Sequence, residues 1–256
     1  MKKLLLFLLL LSSFLFAYVD SDMDGVEDKD DLCPNTLMLD LVNLQGCTIK
    51  SLLSPHHFSL MAGFNYAKDN NTSYNFSSME FSYSYKKLSL QLSTSYYTLE
   101  TDAKSSEGLN DTNLNLLYRL MPLNNFTLSL GGGIAFPTYD SSSNKTDYSL
   151  FMYGNYTLDK WALLGGVGYR FIGDSNASNT LFYNLSAGYN WSTNVYSSLG
   201  YYFSKSIYEE VDGFESLSWY NYYRINKNWF GTLTLTQGLN SQSLDNSMGV
   251  KLGYSW

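Results

Sequence analysis

From about His57 to the last residue, apolar residues fall at every second position in segments of about ten, and this period of two constrains the fold more than any other feature. "LSLQLSTSYY" sets Leu88, Leu90 and Leu92 on one face and Ser89, Gln91 and Ser93 on the other. "FTLSLGGGIAF" opposes Phe126, Leu128, Leu130, Ile134 and Phe136 to Thr127, Ser129, Gly131, Gly133 and Ala135. "WALLGGVGYRF" and "LFYNLSAGYNW" repeat the scheme, with Gly166, Gly168 and Arg170 or Asn184, Ser186 and Gly188 on the second face. Side chains of a strand alternate between its two faces, so each segment reads as a strand with one apolar and one weakly polar side. Twelve such segments are counted.

A soluble sandwich or lipocalin-like barrel points its apolar face inward and carries charge outside. Here the second face is mainly Ser, Asn, Gly, Thr and Tyr. Only 15% of the chain is charged and 17% is aromatic, against about 25% charged in an ordinary soluble domain. Strands of about ten residues, tilted, cross a bilayer. The expected fold class is therefore all-β: a transmembrane antiparallel up-and-down β-barrel of about twelve strands over 57–256, preceded by a small N-terminal segment. "FESLSWYNYYRI" fits least well, because it sends Asn221 to the lipid side.

The connections alternate in length. "KK" (86–87), "LNN" (123–125), "LDK" (158–160), "STN" (192–194) and "NKN" (226–228) separate longer polar stretches such as "TDAKSSEGLND" and "YDSSSNKTD". Membrane barrels place short turns on the periplasmic side and long loops outside. Trp161, Trp191, Trp229 and Trp256 all stand beside short turns, where an interfacial aromatic girdle belongs.

At the C-terminus "SMGVKLGYSW" alternates Met248, Val250, Leu252, Tyr254 and Trp256 with Gly and polar residues. It resembles the C-terminal signal of bacterial outer-membrane β-barrels. That resemblance implies recognition by the barrel assembly machinery through Trp256, a Gram-negative outer-membrane location, and contact with lipid and lipopolysaccharide. The N-terminus "MKKLLLFLLLLSSFLFA" has the basic, apolar and small-residue order of a signal peptide, with cleavage expected after Ala17. Its apolar run is too short to span about 30 Å of hydrocarbon.

Between signal and barrel, residues 18–50 hold eight carboxylates against two lysines. Asp20, Asp22, Asp24, Asp28 and Asp31 occupy places one, three, five, nine and twelve of a loop with Gly25 sixth, the spacing of an EF-hand calcium loop with Asp as its last ligand. Val26, at place seven, would offer its carbonyl. Calcium takes six to eight hard oxygens at about 2.3–2.6 Å, and the glycine lets the chain turn around it. The loop runs on into "DLCPNT" and, later, "QGC". Residues 20–47 together resemble the thrombospondin type 3 repeat found in bacterial outer-membrane proteins. Cys33, Pro34, Asn35, Thr36, Gly46 and Cys47 match it, whereas Leu37, Met38 and Leu39 replace its usual Pro-x-Gly. The resemblance implies bound Ca2+. An even cysteine pair in an exported chain defaults to a disulfide, here Cys33 with Cys47. Residues 51–56 read as a linker.

These features exclude a basic nucleic-acid surface and offer little for catalysis, since the two histidines, His56 and His57, fall at the start of the first strand. "GGGI" and "GGVG" lie inside strands with no helix after them, which is not a phosphate loop. The expected function is a passive pore for small hydrophilic solutes, not an enzyme. Arg119 and Arg224 would stand near the periplasmic mouth and Arg170 near the outer one, with Tyr153, Tyr196 and Tyr202 also inward. The alternative is a non-conducting envelope or surface protein whose calcium segment, held in the periplasm, meets a protein partner there.

Overall fold

A computed structural model describes residues 19–49, 55–70, 72–101, 104–123, 125–141, 144–208 and 210–256, and no helix occurs among them. The signal peptide expected over 1–17 and most of the 51–56 linker lie outside the described residues. One antiparallel sheet contains β1 (His56–Asp69), β2 (Thr72–Tyr85), β3 (Leu88–Glu100), β4 (Ser105–Leu109), β5 (Thr112–Leu123), β6 (Phe126–Phe136), β7 (Asp147–Leu158), β8 (Trp161–Phe171), β9 (Thr180–Asn190), β10 (Val195–Ser204), β11 (Phe214–Arg224), β12 (Trp229–Gly238) and β13 (Asn246–Ser255). Strands adjacent in sequence are adjacent in space, and β1 pairs with both β2 and β13, so the sheet closes on itself.

The closed barrel has twelve staves, because β4 and β5 share one. β4 pairs with the far half of β3 (Tyr96 opposite Leu109) and β5 with its near half (Ser93 opposite Asn113). The register slips by one residue between them, a bulge at Asn110 and Asp111. Five residues of the expected loop "TDAKSSEGLND" are thus strand. Ser, Glu and Gly gave no apolar alternation there, since that signal arises only where one face meets lipid. A second correction concerns the first connection at the long-loop end: β1 and β2 are joined by a two-residue turn, entered at Asn70 with φ 50°. Lys86 and Asp159 take φ 52° in the tight turns at the other end, the left-handed conformation that two-residue hairpins demand.

The described residues form no packed apolar centre. Among the described residues, the buried apolar side chains are Ala67 and Ala162. The large ones face outward instead: Leu150 is 61% exposed, Leu185 65% and Val250 50%. Such a belt costs roughly 25 cal/mol per Å2 in water and is stable only in hydrocarbon. Asn221 does point outward with this set. Its carboxamide oxygen accepts a 2.7 Å hydrogen bond from Ser197, directly opposite on β10, so the polar pair partly satisfies itself.

At the short-turn end the outward rings meet one another. Trp161, Tyr189 and Trp191 form one run, with centroids 4.9 Å apart at each step. Trp229, Tyr254, Trp256, Phe58 and Tyr83 form another. This is the girdle expected where a barrel leaves the hydrocarbon.

Candidate functional site

The inward faces border two open cavities among the described residues. The nearer to the short turns, of 480 Å3, is lined by Arg119, Thr127, Ser129, Tyr153, Asn155 and Asn184 among others. The other, of 340 Å3, lies toward the long loops and includes Gln91, Asn113, Asn115, Ser149, Arg170 and Tyr202. Tyr153 and Asn184 belong to both walls, so the two spaces meet there. Cross-strand register explains the grouping: Arg119 faces Ser129, Ser129 faces Tyr153, Tyr153 faces Gly166 and Gly166 faces Asn184. Arg170 stands in another row, opposite Ser149 and Thr180. Arg224 ends β11 at the short-turn rim and lines neither cavity.

Inward rings lie against inward glycines of the next strand. A Cβ on Gly166 would overlap the Tyr153 ring, and the same holds for Phe182 over Gly168, Phe151 over Gly131 and Tyr196 over Gly188. Glycine here lets the neighbouring ring lie flat on the wall rather than project into the lumen. Tyr153, Tyr196 and Tyr202 all face inward as expected, but these rings share the interior with open space.

Residues 19–49 form a compact segment whose regular pairing is a single bridge, Val42 with Thr48. Ligand oxygens of Asp20, Asp22 and Asp24 lie within 4.8 Å of one another. The backbone amides of Asp24 and Gly25 donate to Asp20, that of Val26 donates to Asp24, and Gly25 turns at φ 93°. Asp31 comes to the same place: a Cβ on Gly46 (φ 74°) would overlap the Asp31 carboxylate and stand 3.0 Å from Asp24 Oδ2. Cys33 and Cys47 join the two ends of this turn, with Cα atoms 5.0 Å apart. Thr36 donates its hydroxyl toward the carbonyls of Gly46 (2.7 Å) and Cys33 (2.9 Å) and its amide to Asp22 (2.7 Å).

Two expected ligands sit differently. Asp28 is turned aside: its oxygens accept the Ser21 amide at 2.7 Å and hydroxyl at 2.6 Å, which lowers its pKa from 3.8. The spacing puts Asp28 at place nine, which in such loops often acts through water. The Val26 amide, rather than its carbonyl, makes the contact seen within the loop.

The remaining groups suit a hard cation. Asp24 is 1% exposed, and its Oδ2 has no hydrogen-bond partner among the described residues. An unpaired buried oxygen costs about 1–3 kcal/mol, more when charged. Burial, then the neighbouring carboxylates of Asp22, Asp31 and Asp20, raises the Asp24 pKa, and burial also raises that of Asp20. Oxygen donors alone, with one unsatisfied, fit Ca2+.

The acidic segment is seated on the barrel. Lys86 pairs with Asp40, and buried Lys87 donates to the Asp24 carbonyl. On β5, the Tyr118 hydroxyl donates to the Met38 carbonyl at 2.9 Å and lies 3.3 Å from that of Met23. Both lysines read in sequence as ordinary turn residues, and Asp40 fell outside the loop spacing. None of the three carried a local signal of this contact.

Residues 86–243, more than half of the chain, match the family described as "Putative MetA-pathway of phenol degradation". The chain belongs to this family. The family match runs from the β2–β3 turn into the β12–β13 loop and leaves the acidic segment, β1, β2 and β13 outside it. No curated protein matches the chain. Among solved structures, it is similar to an outer membrane channel from Pseudomonas putida F1, at 11% identity and a TM-score of 0.67, over 80% of this chain and 97% of that one. It also resembles the NanC porin (13% identity, TM-score 0.53, 78% and 98%) and the KdgM porin (13%, 0.50, 77% and 98%). At these identities the likeness establishes the fold: an outer-membrane-type β-barrel.

Proposed function

We propose that this family member is a passive pore of the Gram-negative outer membrane for small hydrophilic solutes, with a calcium-binding, thrombospondin type 3-like segment at its periplasmic end. One observation carries the pore: inside the apolar belt two cavities meet at Tyr153 and Asn184, with Arg119, Asn155 and Arg170 in their walls, in place of a packed core. Its fold neighbours, an outer membrane channel and two porins, favour the same function. The short turns, and with them the acidic segment, face the periplasm, as barrels of this kind are built. The outer belt meets lipid and lipopolysaccharide, and Trp256 engages the assembly machinery. The exposed side of the acidic segment is free to meet a periplasmic protein.

Asp20, Asp22, Asp24 and Asp31, with the Val26 carbonyl and Asp28 through water, would hold Ca2+. Bound calcium supplies two positive charges that compensate the converging carboxylates. The chain itself then fixes the segment on the β2–β3 turn through Lys86 and Lys87 and on β5 through Tyr118.

A second function has one observation in its favour. Phe151, Phe182, Tyr153 and Tyr202 crowd the meeting point of the cavities, and small barrels are sometimes filled by side chains. In that case the protein is a non-conducting envelope scaffold. Conductance of the refolded protein in a planar bilayer, with calcium and then with chelator, separates the two. Steady current establishes the pore, and a calcium-dependent change makes the acidic segment its gate. Silence from folded protein leaves the scaffold.

A further inference from the structure

The lumen wall carries more positive than negative charge. Glu80 and Lys251 face each other at 3.9 Å and offset one another. Asp147 shares the cavity of Arg170, where it accepts the Gly173 amide at 2.9 Å. Arg119, Arg170 and Arg224 have no carboxylate within salt-bridge distance among the described residues, and Arg119 and Arg170 each stand in the wall of a cavity. A guanidinium facing open space without an ion-pair partner presents its planar fork of N–H donors, which matches a carboxylate bidentately. Basic side chains along a pore wall select anions.

Resting on the pore function above, we infer that the lumen is selective for small organic anions, held in turn by Arg170 and Arg119. Two stations suit conduction better than one, because a solute must bind well enough to enter and weakly enough to leave. The rows of Arg119 and Arg170 are four residues apart along β8, about 13 Å of strand. Between them the Tyr153 ring lies against the wall, and Phe151 and Phe182 flank Arg170 in the same cavity. An anion with a ring or short apolar body meets both a guanidinium and an aromatic face there. The acidic residues of the long loops do not reverse this preference. They are exposed and screened over about 8 Å at physiological salt, whereas low-dielectric walls focus the field of the lumen residues.

The test uses refolded mature protein in planar bilayers under a potassium chloride gradient, then with potassium benzoate as the organic anion. The wild type is expected to reverse at the potential of an anion-selective pore, with benzoate carrying current. The double variant Arg119→Gln and Arg170→Gln is expected to conduct with that selectivity reduced roughly threefold or more. Cation selectivity, or a reversal potential indifferent to both substitutions, overturns the inference and leaves the pore standing. Calorimetric titration with benzoate reads the stations without conduction. A silent bilayer with benzoate binding that is lost in the Arg170→Gln variant removes the pore and keeps the anion site. Silence with no binding removes both. Heat-modifiable gel mobility confirms that each variant has folded.

Discussion

The main chains of Phe58 and Trp256 exchange hydrogen bonds in both directions at 3.0 Å, and their rings stack with centroids 5.6 Å apart. The last residue of the chain thus fastens the seam between β1 and β13. An aromatic pair contributes about 0.5–1.5 kcal/mol beyond its buried area, and Trp256 also contacts Tyr254 at 5.7 Å. Trp256→Ala is expected to destabilise the refolded barrel by about 1–3 kcal/mol in urea titrations in micelles. Deleting residue 256 removes the two backbone bonds as well, each worth about 1 kcal/mol, and should cost more. Equal midpoints for wild type and both variants would show that the seam needs neither.

Tyr153 lies flat because Gly166 has no side chain. Gly166→Ala should push the ring into the lumen, lower single-channel conductance and destabilise the barrel by about 1–3 kcal/mol, as overpacking does. Adding Tyr153→Ala should restore the current. A double variant no more conductive than Gly166→Ala would place the constriction elsewhere.

Gly46 combines a φ of 74° with the close approach of Asp31 and Asp24. Gly46→Ala strains the turn by roughly 1–2 kcal/mol and displaces the Asp31 carboxylate. Calcium affinity, read by calorimetry on the folded protein, should fall by about tenfold or more, since tenfold corresponds to 1.4 kcal/mol. Asp24→Asn should weaken binding more than Asp28→Asn, because Asp28 is already committed to Ser21.

The bridge between Cys33 and Cys47 closes a loop of fourteen residues. Chain entropy assigns about 3 kcal/mol to a crosslink of that span. The Cys33→Ser and Cys47→Ser pair is expected to loosen the acidic segment and weaken calcium binding while the barrel keeps its heat-modifiable mobility. Unchanged calcium affinity would show that the loop is organised without the crosslink.

Seating of the acidic segment depends on pH in part through the pair of Lys86 and Asp40, beside the contact of buried Lys87, whose pKa burial lowers. The Lys86 hydrogen bond lowers the Asp40 pKa below 3.8, and the Asp40 bond raises that of Lys86 above 10.5. Asp40's contribution is therefore full above 3.8 and lost as pH falls through its lowered value. That of Lys86 is full below 10.5 and lost as pH rises through its raised value. Spin labels at residues 43 and 194 should report one distance between about pH 5 and pH 10. Lys86→Ala should broaden that distance at neutral pH. Release near pH 6 would mean that another group controls the contact.

The membrane-facing half of the fold was legible because lipid imposes period two directly on the sequence, as in Met248 to Trp256. Parity also gave the inward direction of Arg119, Arg170 and Tyr153. What parity cannot give is register. Tyr153 finds Gly166 only once β7 and β8 are aligned, and no stretch of either strand alone announces it. Lys87 and Asp24 are 63 residues apart, and their contact arises from where the turn meets the loop. Ser105 to Leu109 escaped for the opposite reason: the strand is real, but neither of its faces meets hydrocarbon. The acidic spacing named a set of ligands, and the arrangement of Asp28 around Ser21 shows that spacing alone does not aim a side chain.

The bulge at Asn110 leaves the mouth of the barrel lopsided. Past the last β5–β6 pair, Thr112 with Phe136, the ribbon of β3 and β4 runs on for five more residue pairs, from Leu109 to Ser105. At about 3.4 Å per residue that is about 17 Å of paired backbone rising on one side of the opening. The β1–β2 hairpin climbs beside it, with Ser73 opposite Glu100, so an antibody or phage tip too large to enter would touch this four-stranded parapet before it reached the level of the last β5–β6 pair.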